Sequence, residues 1–96
     1  MSKFSSIIKS DTPTLVDFHA TWCGPCKAMA PTLDKLKKQK GNELRILKID
    51  VDKNQALAAQ FKIRSVPTLM FFHKGKTLWR QSGAMDLKTM LYKTKL

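Results

Sequence analysis

Cys23 and Cys26 are the two cysteines of this 96-residue chain, and their spacing is the first feature that could support chemistry. A disulfide needs Cβ atoms about 3.5–4.5 Å apart. Residues three apart on a helix lie on one face, so the first turn of a helix can bring such a pair to that distance with little movement. The dithiol and the disulfide can then share nearly one backbone, which predicts a reversible two-electron carrier.

The start of a helix also gives the two sulfurs different properties. Its first amide groups have no partner within the helix and carry partial positive charge, which would stabilise a thiolate at Cys23. Cys26 would lie one turn deeper, where desolvation favours the neutral thiol. We therefore expect Cys23 to attack a substrate disulfide and Cys26 to resolve the mixed disulfide. Pro25 between them favours the early helical backbone.

Half of a zinc site is the main alternative for a C-x-x-C pair. A structural zinc ion needs four ligands, and in this sequence only His19 and His73 could complete the set. The spacing of these histidines fits no common zinc pattern. We therefore expect no metal ion at the cysteine pair.

Length and composition predict one small soluble domain over residues 1–96. Apolar residues make up 43% of the chain and charged residues 26%, which is an ordinary globular mixture. No apolar run approaches the roughly 20 residues of a membrane-spanning helix, so we expect no membrane attachment. A secreted disulfide scaffold of this size would carry more cysteines at wider spacing, which favours a reducing, cytoplasmic location. We also expect a monomer.

The apolar pattern predicts eight elements in the order α-β-α-β-α-β-β-α. They are a short helix around Phe4 and Ile8, strands over residues 15–19, 44–51, 68–73 and 77–81, helices over residues 23–40 and 54–61, the latter capped by Asn54, and a last helix capped by Asp86. One face of the long helix carries four apolar side chains: Cys26, Met29, Leu33 and Leu36. Strands alternating with helices predict an α/β fold with a mixed four-stranded sheet and helices on both faces.

The residues around the cysteines resemble a known family. Residues 16–27 read V-D-F-H-A-T-W-C-G-P-C-K, which is similar to the active-site segment of thioredoxins. Pro31 matches a helix proline of that family, and R-S-V-P-T at residues 64–68 resembles one of its loops. The resemblance covers nearly the whole chain. It implies a thioredoxin fold, here without the extra N-terminal strand of many members, and the activity of a protein-disulfide reductase.

The resemblance also implies the partners and the cofactor state. The substrates would be protein disulfides, and a flavin-containing, NADPH-linked thioredoxin reductase would reduce the chain again. The sequence contains no G-x-G-x-x-G motif and no phosphate-binding loop. We therefore expect no bound cofactor, and a redox-active disulfide between Cys23 and Cys26.

Further site residues follow from the resemblance by position. Asp17, a carboxylate inside an apolar strand, would lie beneath Cys26 and act as the base that deprotonates it. Lys48 would lie near Asp17 and modulate it. Pro67 would follow a cis peptide bond and leave the backbone of Val66 free to pair with an extended substrate. The substrate groove would be formed by Trp22, Gly24, Pro25, Val66, Pro67, Gly83 and Ala84.

Three positions depart from the usual pattern of the family. His19 stands four residues before Cys23, where an aromatic residue is common. We favour a packing role for His19, and the alternative is that its titration adds a pH dependence to the activity. Ser65 and Ser82 occupy places beside the groove that are often glycine or aliphatic, so the resemblance does not fix the preferred substrate.

The strong positive charge permits other functions. Eighteen Lys and Arg residues against seven Asp and Glu give a net charge of +11 and an isoelectric point near 10.0. The alternative function is a basic module that docks proteins or nucleic acid on this fold, with redox chemistry secondary; few aromatic residues and no nucleic-acid motif argue against it. A further alternative function is that of an oxidase or isomerase, but Gly24-Pro25 between the cysteines resembles the reducing members of the thioredoxin family.

If the lysines steer acidic partners toward the cysteine pair, the reaction should depend on salt. We expect the second-order rate constant with an acidic protein disulfide to fall steeply as salt rises, because salt screens exposed charges. Stopped-flow measurement at several salt concentrations tests this, with a neutral peptide disulfide as the control. A flat response with the acidic protein would show that the lysines are only a solvated surface.

Overall fold

Four strands form one mixed sheet at the centre of the protein. The computed structural model describes residues 2–96, and its strands are β1 (Thr14–His19), β2 (Arg45–Asp50), β3 (Thr68–His73) and β4 (Lys76–Ser82). They lie in the order β2-β1-β3-β4. β1 runs parallel to β2 and antiparallel to β3, and β3 runs antiparallel to β4. The predicted four-stranded mixed sheet is confirmed, and the hairpin of β3 and β4 forms its antiparallel edge.

Four α-helices connect and cover these strands. They are α1 (Ser2–Lys9), α2 (Gly24–Lys40), α3 (Gln55–Gln60) and α4 (Leu87–Lys93), and a 3₁₀ turn, Gly41–Glu43, follows α2. The order predicted from the sequence is confirmed, with shifts of one or two residues at element ends. Within the described part of the chain, no helix is long and apolar enough to cross a membrane.

The sheet buries apolar side chains on both faces, because successive residues of a strand point to opposite sides. On one face, Val16, Phe18 and Phe72 pack with Leu57 of α3, and Phe4 of α1 covers them. On the other face, the sheet packs against α2 and α4 through Leu15, Leu69, Phe71, Met29, Leu33, Leu36 and Met90. Helices therefore lie on both faces of the sheet, as the sequence predicts.

Helix α2 is held to the sheet by the apolar face that its sequence predicts. Its buried side chains are Cys26, Met29, Leu33 and Leu36. At its C-terminal end, the Lys37 ammonium donates hydrogen bonds to the carbonyls of Gly41 (2.9 Å) and Leu44 (2.6 Å). These contacts satisfy carbonyl groups beyond the end of the helix, where a positive charge is also favoured by the helix dipole. Both ends of α2 are therefore fixed in position.

The prediction that the Asn54 side chain caps α3 is wrong. Asn54 occupies the N-cap position, but its side chain makes no capping hydrogen bond. Its amide Nδ2 donates instead to the carbonyl of Asp50, at 3.0 Å. The Asp50 carboxylate accepts the backbone N–H groups of Asp52 and Lys53 in the same turn. The Asn54 side chain is therefore bound to the end of β2 and does not cap α3.

Leu36 offers a test of this packing. Leu36→Ala should lower the free energy of unfolding by about 2–5 kcal/mol, because a fully buried side chain is replaced by a cavity. Urea unfolding followed by circular dichroism measures this value. Gln39→Ala, at an exposed position of the same helix, is the matched control and should change it by less than about 0.5 kcal/mol. Equal effects of the two substitutions would contradict the packing of α2.

Candidate active site

The cysteine pair lies where β1 passes into α2. Cys23 is the N-cap of α2, and its Sγ accepts a hydrogen bond from the backbone N–H of Cys26 at 3.1 Å. The two residues are joined by a disulfide, with Cα atoms 5.3 Å apart. Their exposed fractions are only 4% and 7%. Together with Ala20 they form a small apolar cluster covered by Val51 and Val66, and Val51 also packs against the large cluster that contains Phe18.

The loop before β3 faces the same sulfurs. The Val66–Pro67 peptide bond is cis, and the Val66 carbonyl oxygen lies 3.7 Å from Cys23 Sγ. Thr68 Oγ1 donates to the Ser65 carbonyl at 2.8 Å. The Gly83 N–H donates to the Pro67 carbonyl at 2.8 Å. The loop is therefore tied both within itself and to the end of β4.

Trp22 is an exposed aromatic residue beside the cysteine pair. Its side chain is 69% exposed, and its Nε1 donates to the Asp52 carboxylate at 2.9 Å. Trp22 and Val66 line a small pocket of about 130 Å³, along with Ser65. The sequence analysis did not identify Asp52 as a site residue. One signal was available, since Asp52 lies in an acidic turn after a strand. Because that strand pairs in parallel with β1, the turn lies close to the carboxyl end of β1.

The other predicted groove residues lie on the surface around this loop. Gly24 and Pro25 are exposed at the start of α2, and Ala84 is exposed after β4. Gly83 has φ +95°, a conformation that favours glycine. A Cβ placed on Gly24 or Gly83 would meet no atom of the described residues within 4 Å. The space beside both glycines is therefore available to a bound chain.

Asp17 is a buried carboxyl on the central strand. It is 3% exposed, and its Oδ1 has no hydrogen-bond partner among residues 2–96. Burial raises the pKa of Asp17 above its ordinary value of 3.8, because desolvation disfavours the charged form, while the charges of His19 and Lys48 lower it by less. Lys48 is the register partner of Asp17 on the neighbouring strand and is itself exposed.

A pocket of about 300 Å³ brings this carboxyl together with the second cysteine. Its walls include Asp17 and His19 from β1, Cys26 and Lys27 from α2, and Lys48 from β2. The sequence could not show this grouping directly, because it depends on the register of β1 with β2 and on the face of α2 that meets the sheet. Over residues 2–96, no three or more His, Cys, Asp or Glu side chains cluster closely enough to hold a metal ion.

Comparison of the sequence with models of known families shows which family has this arrangement of residues. The family model described as Thioredoxin matches residues 1–95. The chain belongs to the thioredoxin family. The resemblance seen in the active-site segment is thereby confirmed over almost the full length.

Thioredoxins of known sequence support this assignment. The chain is 47% identical over 87 residues to a thioredoxin of Haemophilus influenzae, covering 91% of this chain and 80% of that protein. It is 41% identical over 90 residues to a bifunctional thioredoxin reductase/thioredoxin of Mycobacterium leprae, covering 94% of this chain but 20% of that larger protein.

Solved thioredoxin structures share the fold. The oxidised mitochondrial thioredoxin 3 of Saccharomyces cerevisiae superposes with a TM-score of 0.84 at 35% identity, covering 96% of this chain and 84% of that one. A mutant thioredoxin of Halobacterium salinarum gives a TM-score of 0.88 at 33% identity, covering 100% and 87%.

The family and the cysteine pair together establish the reaction class. This thioredoxin-family chain is a thiol–disulfide oxidoreductase of the protein-disulfide reductase type, and its redox-active disulfide joins Cys23 to Cys26. The alternative of a basic docking or nucleic-acid-binding module is not favoured, because the relatives matched over most of the chain are thioredoxins.

The raised pKa of Asp17 predicts that this residue lowers the free energy of unfolding by an amount that depends on pH. Between pH 3.8 and the raised pKa, the unfolded chain releases a proton that the native carboxyl keeps, so stability falls as pH rises through this window. In the oxidised protein, Asp17→Asn should therefore stabilise the fold little near pH 4 and more near pH 8, by about 1.4 kcal/mol for each unit by which the native pKa is raised.

Urea unfolding at a series of pH values measures this effect. Asp34→Asn, at an exposed site on α2, is the matched control and should show no comparable gain. A gain from Asp17→Asn that is the same at acid and alkaline pH would contradict the link between burial and the titration of Asp17.

Proposed function

We propose that the chain reduces disulfides in proteins with Cys23 as the attacking nucleophile and Cys26 as the resolving thiol. The observation that carries the proposal is the position of Cys23 Sγ, which caps the start of α2 and accepts the Cys26 N–H. In the reduced protein, the same amide and the positive end of the helix would stabilise a thiolate at Cys23. The sulfur also faces the Val66 carbonyl, next to the groove.

The first step exchanges one disulfide for another. The Cys23 thiolate attacks one sulfur of the substrate disulfide, so a bond forms between Cys23 and that sulfur while the substrate S–S bond breaks. The second substrate sulfur leaves as a thiolate and takes a proton from water. The chain and the substrate are then joined by a mixed disulfide.

The second step requires a thiolate at Cys26. We assign Asp17 as the base, because its carboxyl lines the same pocket as Cys26 and its raised pKa makes it a better proton acceptor than an exposed carboxylate. The Cys26 proton passes to Asp17, the Cys26 sulfur attacks Cys23, and the substrate leaves as a second thiolate. Lys48 tunes this base, because its positive charge favours the ionised form of Asp17.

The substrate would bind as an extended segment across the surface around Cys23. Trp22, held by Asp52, would form one wall. The backbone of Val66 would pair with the substrate beside the cis Pro67. The flat remainder of the groove would be Gly24, Pro25, Gly83 and Ala84, where small or exposed residues leave room for a second chain.

The oxidised chain must be reduced again to complete a cycle of electron transport. We propose that a flavin-containing, NADPH-linked thioredoxin reductase does this, and the joining of a reductase and a thioredoxin in one Mycobacterium leprae protein supports this partnership. The chain itself would carry electrons on its cysteine pair without a bound cofactor. We further propose that it acts as a monomeric single domain over residues 1–96 in the cytoplasm.

Serine substitutions separate the two thiols. Cys26→Ser should accumulate a mixed disulfide with a protein substrate through Cys23, because the resolving thiol is missing, and mass spectrometry of the non-reduced complex detects it. Cys23→Ser should lose turnover of the same substrate and trap no complex, because the sulfur that faces the Val66 loop is then missing and Cys26 lines the pocket of Asp17 instead. The unsubstituted chain is the control for both. Full turnover by Cys23→Ser would overturn the assignment of the nucleophile.

A further inference from the structure

The pocket that joins Asp17 to Cys26 has a histidine in its wall. His19 lies two residues after Asp17 on β1, so both side chains project from the same face of the strand. His19 is half-buried and lines the pocket together with Asp17, Cys26 and Lys48.

The charged groups around His19 come from three elements. β1 contributes Asp17, α2 contributes Lys27 next to Cys26, and β2 contributes Lys48 together with Asp50, the register partner of His19. The Asp50 carboxylate already accepts backbone N–H groups in the turn after β2. Lysines keep their charge across the neutral range, whereas a histidine side chain ordinarily changes its charge there.

The ionisation of Asp17 is sensitive to this change of charge, because few other groups stabilise its negative carboxylate. Its Oδ1 has no hydrogen-bond partner in the described chain, so the ionised carboxylate depends on nearby positive charge. The charge of His19 lowers the pKa of Asp17 more than that of Lys48 does. His19 and Lys48 are thus the two cationic side chains that act on this carboxyl, and both line its pocket.

We propose that His19 is a positioning residue for the resolving step, whose protonated ring keeps Asp17 ionised and able to accept the Cys26 proton on the acid side of neutrality. The proposal rests on the assigned role of Asp17 as the base. His19 itself forms no bond to the reacting sulfurs. The proton still passes from Cys26 to Asp17, and from there to solvent through the pocket.

The coupling has a defined sign. While its ring carries a positive charge, His19 stabilises the Asp17 carboxylate, so the base is present where burial alone would keep the carboxyl protonated. Without that charge Asp17 ionises only at a higher pH, because the carboxylate then lacks the cation that stabilises it. Two groups that interact in this way titrate as a pair, and the carboxyl reports both steps.

The oxidised protein allows this coupling to be measured without interference from the thiols. The ¹³C chemical shift of the Asp17 carboxyl carbon, followed from acid to alkaline pH, should show two inflections in the unsubstituted chain. In His19→Gln the same chemical shift should show a single inflection, at a higher pH than the first inflection of the unsubstituted chain, because the cation is absent. His73→Gln is the matched control, since this second histidine contacts the Asp11 carbonyl and lies outside the pocket, and it should leave both inflections.

The same variants test the effect on the reaction. In single-turnover reduction of a peptide disulfide, His19→Gln should slow the release of substrate from the mixed disulfide about threefold near pH 6 and by less than about 1.5-fold near pH 8.5, because a change of one pKa unit alters the ionised fraction at most tenfold and a weaker base offsets part of that gain. His19→Phe keeps the packing of a ring and should behave like His19→Gln.

The outcomes separate this proposal from the one on which it rests. If the Asp17 carboxyl titrates identically in the unsubstituted chain and in both His19 variants, the coupling is absent, whatever the reductase activity. If His19→Gln slows the release equally at all pH values while His19→Phe restores it, His19 only packs, and the proposal fails while the role of Asp17 stands. If Asp17→Asn leaves the release rate unchanged at every pH, the assigned base itself is wrong.

Discussion

The hydrogen bond from the Cys26 amide to Cys23 Sγ is the contact on which the active site depends. It makes a sulfur of the redox-active pair the N-cap of a helix, so the group that we propose to carry negative charge is also the group that satisfies an unpaired N–H at the helix start. This works only if α2 begins at a fixed place. The buried face of α2 and the contacts of Lys37 beyond its C-terminus hold both of its ends, and the parallel pairing of β1 with β2 fixes the strand that leads into it.

Asp17 shows how function and stability oppose each other in this fold. A carboxyl with an unpartnered oxygen on the central strand disfavours the folded state whenever it is ionised, and packing alone would place an apolar residue there. The same burial raises the pKa of the carboxyl, which gives it the proton affinity that its proposed role as a base beside a thiol requires. The sheet that carries this carboxyl is packed with apolar side chains on both faces.

Periodicity predicted the fold well because burial in this chain follows the ordinary rules. The face formed by Cys26, Met29, Leu33 and Leu36 could be read directly, since a 3.6-residue period leaves few alternatives. Asn54 was misjudged because its side chain binds the Asp50 carbonyl, and capping rules do not weigh such competition. The bond between Trp22 and Asp52 was missed because it joins two turns about thirty positions apart, and no local pattern encodes that contact.

The third apolar cluster has a consequence for how such a protein can vary. Ala20, Cys23 and Cys26 form a buried cluster of their own, covered by Val51 and Val66. Val51 also packs against one of the two layers that hold the helices to the sheet, whereas Val66 packs against neither. The side chain of Val66 can therefore be exchanged without loss of packing in those layers, whereas an exchange of Val51 would alter one of them. A scaffold divided in this way can acquire new protein substrates through changes at its surface, while its stability remains set by residues that no substrate touches.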